Sequence, residues 1–422
     1  MVPEDRYNVM TDMFDTRETR DPDEREAELF RRLPGHLAKA ISAAPGLASH
    51  LDGVDPATVT SRAGLARLPV LRKSQLMAAQ KANPPFGGFV AMGRAPERVF
   101  LSPGPVFEPQ SAGADPWGAA RALFAAGFRP GDVVHNSFAY HMTPGGFILD
   151  LGARALGCTI FPAGTGNSET QAEAMAVLRP RGWCGTPDFL KVILDKAVEL
   201  GLDCSSVKVA QVSGGALFPS LRDEYTARGI AVTQCYATAD LGVVAYETEA
   251  GKGVVLNEDF ILEIVRPGTG DPVAPGEVGE IVVTSFNASY PLVRFGTGDL
   301  SKVLDERSPC GRTNTLIAGW MGRADQRTKV KGMFVDPEQV AAIVRRHSEI
   351  GRARLIVARA GEQDVLSLKI EVDQGGGAPA GLADAVAGSL REVTKLGGRV
   401  EPVAPGSLPN DGKVIEDARD YA

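Results

Sequence analysis

Between residues 117 and 235 the sequence alternates five times between a helical stretch and a short apolar run. The helical stretches read at 117–126, 147–156, 169–178, 189–200 and 220–228, and the apolar runs at 132–138, 158–161, 182–184, 207–212 and 230–235. Short apolar strands alternating with helices of about ten residues argue for βαβ units and a parallel sheet covered on both faces. The predicted result is α/β: a doubly wound, mostly parallel sheet.

The pattern changes on either side of this core. Residues 1–100 read as helices with polar connections, among them a charged one at 23–32 and an amphipathic one at 73–81. After Tyr236 the helices stop, and β-rich runs at 242–247, 260–265 and 280–285 predict an antiparallel subdomain over 241–318. A compact unit follows, read as helix 337–346, strands 354–359 and 365–372, helix 383–395 and strand 400–403, with a flexible loop at 375–381. The expected organisation is therefore an N-terminal domain over 1–324, with its α/β core at 100–240, and a small mobile α+β domain over 325–422.

Composition narrows the function classes. Lys and Arg number 45 against 52 Asp and Glu, a net charge of -7, and no basic stripe offsets it, so a nucleic-acid partner is not expected. The apolar run at 145–156 contains Asp150 and is too short to span a bilayer, and the N-terminus is charged from Glu4 onward, so no membrane partner and a cytoplasmic location are expected. Five cysteines without a Cys-x-x-Cys spacing read as buried reduced thiols.

The chemistry-bearing motifs lie in order along the chain. Arg294 and Asp299 bracket glycines in Pro-Leu-Val-Arg-Phe-Gly-Thr-Gly-Asp, a spacing that suits a guanidinium near phosphates and a carboxylate on two ribose hydroxyls, although a surface turn with a solvated ion pair has the same residues. Gly322-Arg-Ala-Asp325, Lys329-Val-Lys-Gly332 and Leu408-Pro-Asn-Asp-Gly-Lys413 follow. This succession resembles the adenylate-forming superfamily of acyl-CoA synthetases, and within it the phenylacetate-CoA ligase family, from about residue 68 to the C-terminus.

The resemblance implies roles for particular residues. Asp299 would hold the ribose with Arg294 as its partner, and Asp325, beside Arg323, would be the hinge of the small domain. Lys413 would reach the carboxylate and α-phosphate during adenylation. Ser213, Gly214 and Gly215 would form the loop lining adenine and acyl group, Tyr236 and Ala237 would contact adenine, and Asp240 would hold magnesium, one methylene shorter than the family's glutamate. Tyr140, His141 and Gly145 fall in the acyl pocket, and Lys329, Lys331 and Gly332 in the loop that approaches coenzyme A. ATP, AMP, Mg2+ and coenzyme A are the implied ligands, a small carboxylic acid the substrate, and a homodimer a possible assembly.

Two departures stand out. The family's Ser/Thr/Gly-rich phosphate loop is replaced by Ser102-Pro-Gly-Pro-Val-Phe-Glu-Pro, which leaves Ser102 and Gly104 but removes N–H donors at Pro103 and Pro105 and puts Glu108 where the family has lysine. Each lost charge-assisted hydrogen bond costs about 1.5–3 kcal/mol. Where relatives end a zinc site in Cys-x-Cys-Gly-Arg, Ser308-Pro-Cys-Gly-Arg keeps one thiol, so no zinc is expected. The leading expectation is an AMP-forming ligase that activates an aromatic or similar small acid and hands it to coenzyme A. CoA-independent adenylation in secondary metabolism and a catalytically weakened binding relative are the rivals.

Overall fold

The computed structural model describes residues 13–419 except 103–104, 216, 249–250, 325, 327, 331–332, 361–362 and 373–378. The chain divides into two compact units, one of residues 1–262, 283–295 and 304–319, the other of residues 263–282, 296–303 and 320–422.

The first unit is built on an eight-stranded sheet. Strands Val133–Asn136, Thr159–Pro162, Gly182–Gly185, Val209–Val212 and Ala231–Thr238 are parallel, as their apolar runs predict. The first of them lies between the second and the third, so the strand order reverses direction beside Val133–Asn136. At such a switch point the connections leave a crevice outside the carboxyl ends of the strands. Gly242–Tyr246, Val254–Leu256 and Leu316–Ile317 then extend the same sheet in antiparallel fashion. The sequence pattern assigned Gly242–Tyr246 to a separate subdomain; the hairpin Cys235↔Tyr246 instead makes it continuous with the parallel core.

Successive strand residues point to opposite faces, and the two faces have different cores. Cys184 and Val209 pack with helices Ala119–Ala125 and Gly145–Leu156, while Trp183 and Ala210 pack with Ser168–Leu178 and Pro187–Leu200. This is the doubly wound α/β arrangement. Ahead of it, Pro22–Ala43 and Lys73–Ala82 are the predicted N-terminal helices.

The second unit carries a four-stranded sheet in the order Arg399–Val403, Gln363–Val372, Ile350–Ala360, Ile415–Asp417. Helices Pro337–Val344 and Leu382–Thr394 pack on it through Val340, Ile343, Val386 and Leu390. The last strand is too short to register as a period in the sequence, yet it pairs in parallel with Ile350–Ala360 and so fixes the chain two residues after Lys413. Among the described residues no helix is long and apolar enough to cross a membrane.

Candidate active site

In the first unit the predicted residues line up along the carboxyl edge of the parallel strands. Ser137 N donates to Cys184 O at 2.7 Å, and Ser213 N donates to Gly185 O at 3.2 Å, which ties the loops leaving three strands together. Ser213 Oγ donates to Cys235 O at 2.9 Å, joining the fourth. Gly214 has φ +71, a left-handed conformation that favours glycine, and the nearest atoms to a Cβ there are those of Phe138 and Thr186 at 3.9 Å. The Gly214 backbone therefore runs past Phe138, at the start of the segment that carries Tyr140, His141 and Gly145.

That segment is braced from below. Asn136 Nδ2 donates to Tyr140 Oη at 2.8 Å and to Gly146 O at 2.9 Å, and Tyr140 Oη donates to Asp150 at 3.0 Å. Burial, then the Asp150 charge, raises the Tyr140 pKa, so the phenol stays neutral and its hydroxyl is committed inside the protein. What Tyr140 offers a ligand is its ring, which stands edge-on to Phe147 at 5.1 Å. Gly146 is required by space, since a Cβ there would lie 2.8 Å from Ala139 O. Gly145 opens the helix Gly145–Leu156, and His141 is exposed.

Tyr236 and Ala237 lie near the end of the last parallel strand, with a register shift between them, and Tyr236 is buried. Asp240 follows in the turn to Gly242–Tyr246 and is 8% exposed. Its Oδ2 meets Lys73 Nζ at 3.3 Å, whereas its Oδ1 is buried without a hydrogen-bond partner. Burial raises its pKa and Lys73 opposes that rise. Lys73 escaped the sequence reading because it opens a helix 167 positions away, and no spacing rule connects the two.

The segment read as an altered phosphate loop includes two paired antiparallel strands, Arg98–Ser102 and Val106–Gln110, with Ser102 opposite Val106. Gln80, from the helix that begins at Lys73, donates to Phe107 O and accepts from Phe107 N, both at 2.8 Å, imitating a third strand. Glu108 points inward at 1% exposure, with Ser102 Oγ donating to its Oε1, while its Oε2 has no hydrogen-bond partner. Burial and the neighbouring Asp240 charge push its pKa up to about 7. Gly104 lies outside the described residues.

Arg294 is 1% exposed and donates to the carbonyls of Ala66 and, through a short contact, Leu68. Much of its guanidinium is thus engaged in anchoring the chain ahead of Lys73.

The second unit holds the remaining residues. Asp299 Oδ1 accepts from Arg323 Nη1 at 3.0 Å and from Trp320 Nε1 at 3.1 Å. Gly298 makes room for this, because a Cβ there would lie 2.7 Å from Arg323 Nη2. Trp320 is 55% exposed, and sequence reasoning gave no signal for it. Lys413 is exposed, and its N–H donates to Asp411 at 3.0 Å. The backbone around it is held by Gln326, which donates to Gly412 O at 3.0 Å and accepts from Ile415 N at 2.7 Å. Asp325, Lys331 and Gly332 lie outside the described residues; Lys329 lies in the short strand Thr328–Val330.

Residues 151–289 match the family of AMP-binding enzymes. The phenylacetate-coenzyme A ligase of Aromatoleum evansii is 30% identical over 369 residues, which cover 83% of this chain and 82% of that protein. The chain belongs to the phenylacetate-CoA ligase family. Proteins of the same name from Thermus thermophilus and Escherichia coli are also 30% identical, with 81% and 85% of their lengths covered. Among solved structures, 2-hydroxyisobutyryl-CoA ligase in its postadenylation state with 2-HIB-AMP superposes with a TM-score of 0.73 at 26% identity, covering 98% of this chain and 94% of that one. The same enzyme with 2-HIB-AMP and CoA in its thioesterification state gives 0.67 at 26% identity, covering 96% and 92%. In this family setting Cys310 is half-buried beside Ser308 and Arg312, and their hydrogen bonds lower its pKa although burial alone would raise it.

Proposed function

We propose that this chain is an AMP-forming acyl-CoA ligase that takes a small aromatic or similarly compact carboxylic acid. What supports the reading most is the line of Tyr140, Ser213–Gly215 and Tyr236–Asp240 along one sheet edge, in a chain with this family membership. In the first half-reaction the acid's carboxylate oxygen forms a bond to the α-phosphorus of ATP, and the bond to the β-phosphate oxygen breaks, releasing pyrophosphate. In the second, the thiol sulfur of coenzyme A bonds to the acyl carbon, the thiol proton leaves, and AMP departs with the electron pair of the acyl–phosphate bond.

This chemistry asks for positioning and charge stabilisation and needs no protein nucleophile. The Gly214–Gly215 backbone and the Tyr236 ring serve the adenine, and the Asp299 carboxylate accepts from the ribose hydroxyls in place of Trp320 and Arg323. The exposed Lys413 ammonium stabilises the charge that develops on the α-phosphoryl oxygens. The rings of Phe138, Tyr140 and Phe147 suit a flat acyl group. Magnesium fits Asp240, whose buried Oδ1 lacks a partner, and would neutralise phosphate charge there. Asp325 is assigned as the pivot between half-reactions, with Lys329, Lys331 and Gly332 serving coenzyme A.

Incubation with ATP, coenzyme A and a panel of aryl and branched acids should yield an acyl-CoA, detected by mass spectrometry, with AMP and pyrophosphate in equal amounts. One observation favours a second reading, nucleotide binding without turnover: the buried Glu108 at the lysine position of the phosphate loop. Binding of AMP with no thioester and no pyrophosphate from any acid would select it.

A further inference from the structure

Arg354 is a buried cation in the second unit, on the face of its sheet opposite the helices. Alternation along Ile350–Ala360 puts Ala353, Leu355 and Val357 into the core shared with Pro337–Val344 and Leu382–Thr394, and so turns Arg354 to the other side. Only 3% of its side chain is exposed. Its Nη1 donates to Asp411 Oδ2 at 3.2 Å and to Glu416 Oε2 at 3.0 Å. Its Nη2 donates to Pro409 O at 3.1 Å and, through a short contact, to Asp411 Oδ1. One guanidinium thus grips the chain at 409, 411 and 416, on both sides of Lys413, and takes both oxygens of Asp411 in a fork. Arg352, two residues back on the same face, donates to Leu408 O at 3.3 Å and to Pro409 O at 3.0 Å.

Asp411 stands two residues before Lys413, with 38% of its side chain exposed. The Lys413 N–H donates to Asp411 Oδ1 at 3.0 Å, so both side chains leave one turn, and a flexible four-carbon stem can fold back onto that carboxylate. An ammonium captured there is withheld from a phosphoryl group. Among the described residues no ion pair involves the Lys413 ammonium. We infer that Arg354 is a positioning residue for adenylation: by occupying both Asp411 oxygens it keeps Lys413 out of a local ion pair and available to the α-phosphoryl group. The inference rests on the reading of Lys413 as the adenylating cation. Arginine suits the task because its planar fork matches both carboxylate oxygens at once, whereas an ammonium is a single point of charge. The carboxylate at 411 is needed in turn, because it supplies the counter-charge of a buried guanidinium and caps the Lys413 N–H.

The test follows Lys413 itself. Full-length protein is treated with limiting acetic anhydride at several pH values, and acetylation of Lys413 is followed by peptide mass spectrometry. Ion pairing keeps an amine protonated and slows this reaction. Arg354→Met should slow it at least about twofold, the population shift expected of one partly exposed ion pair, and acid-dependent pyrophosphate release should fall with it. Adding Asp411→Asn to Arg354→Met should return both to within about twofold of wild type, a rescue that a purely structural brace would not show. Arg354→Lys keeps the charge should Arg354→Met fail to fold, and is expected to give a smaller slowing with the same rescue. Unchanged Lys413 reactivity in the Arg354 variants overturns the proposal, as does a slowing that Asp411→Asn leaves in place. The expected reactivity pattern in a wild type that releases pyrophosphate with no acid supports the guarding of Lys413 and contradicts the ligase reading, so the two fail separately.

Discussion

Lys73 Nζ and Asp240 Oδ2 are 3.3 Å apart, and this ion pair joins the N-terminal helical region to the turn that ends the parallel sheet. Asp240 is almost wholly buried, so removing its counter-charge strands a carboxylate beside a second one. Breaking a buried pair costs about 3–5 kcal/mol, and the one-third exposure of Lys73 brings the expected loss for Lys73→Met down to roughly 1–3 kcal/mol. Urea denaturation should show this. Glu392→Gln, which breaks the exposed pair with Arg346, should leave the urea midpoint unchanged.

Lys413→Ala removes an exposed cation, so stability should not change. Adenylation, read as acid-dependent pyrophosphate release, should fall on the order of 10²–10³-fold, the usual loss when a group aimed at developing charge is deleted. Thioester formation from synthetic acyl-adenylate and coenzyme A should fall far less.

Gly412 tests whether the backbone under Lys413 must be glycine. Its φ is +69, and a Cβ would meet Val278 at 2.8 Å and Leu300 at 3.0 Å. Gly412→Ala combines a left-handed penalty of about 1–2 kcal/mol with that crowding. It should lower adenylation while the Lys413 side chain is intact, and a crystal structure should show the 411–414 turn displaced.

Asp299→Asn keeps the shape of the side chain but weakens acceptance from Arg323, Trp320 and a ribose. At about 1.5–3 kcal/mol for a hydrogen bond to a charged group, KM for ATP should rise roughly 10- to 100-fold, with a smaller change in the KM for the acid. Quenching of Trp320 fluorescence by AMP, expected in the wild type, should weaken in parallel.

Stability should fall as pH drops below the ordinary histidine range. Gln171 Nε2 donates to Gly164 O and Gly166 O, so its Oε1 must accept, and His135 Nε2, 2.9 Å away, is the donor. His135 Nδ1 is buried without a partner, and burial lowers the pKa below 6.5. The unfolded chain then binds the proton more readily, so the stability present above pH 6.5 is lost as pH falls toward the folded-state value. His36 and His50 shift in the same direction for the same reason. Urea midpoints between pH 7.5 and 5.5 should decline, less steeply in His135→Asn.

The parallel core was legible because its strands, apart from the edge strand Thr159–Pro162, are largely buried, and each crossover helix is long enough to show a period. The C-terminal unit's helices and longer strands were legible for the same reason. Leu316–Ile317 and Ile415–Asp417 were not, being too short to form a pattern. The family's loops were readable as local motifs, and Ser213–Gly215 with Tyr236 do share one edge of the sheet. Lys73, Gln326 and Trp320 were invisible because each matters through a partner distant in sequence or through a hydrogen bond that no spacing encodes. Arg294 was legible as a residue, but its burial against Ala66 and Leu68 was not.

Isotope exchange between ATP and labelled pyrophosphate, measured in the presence and absence of candidate acids without coenzyme A, tests the central claim most directly. Acid-dependent exchange that collapses in Lys413→Ala is the predicted result. A chain that binds AMP yet shows no exchange with any acid, with magnesium or manganese supplied, would contradict it.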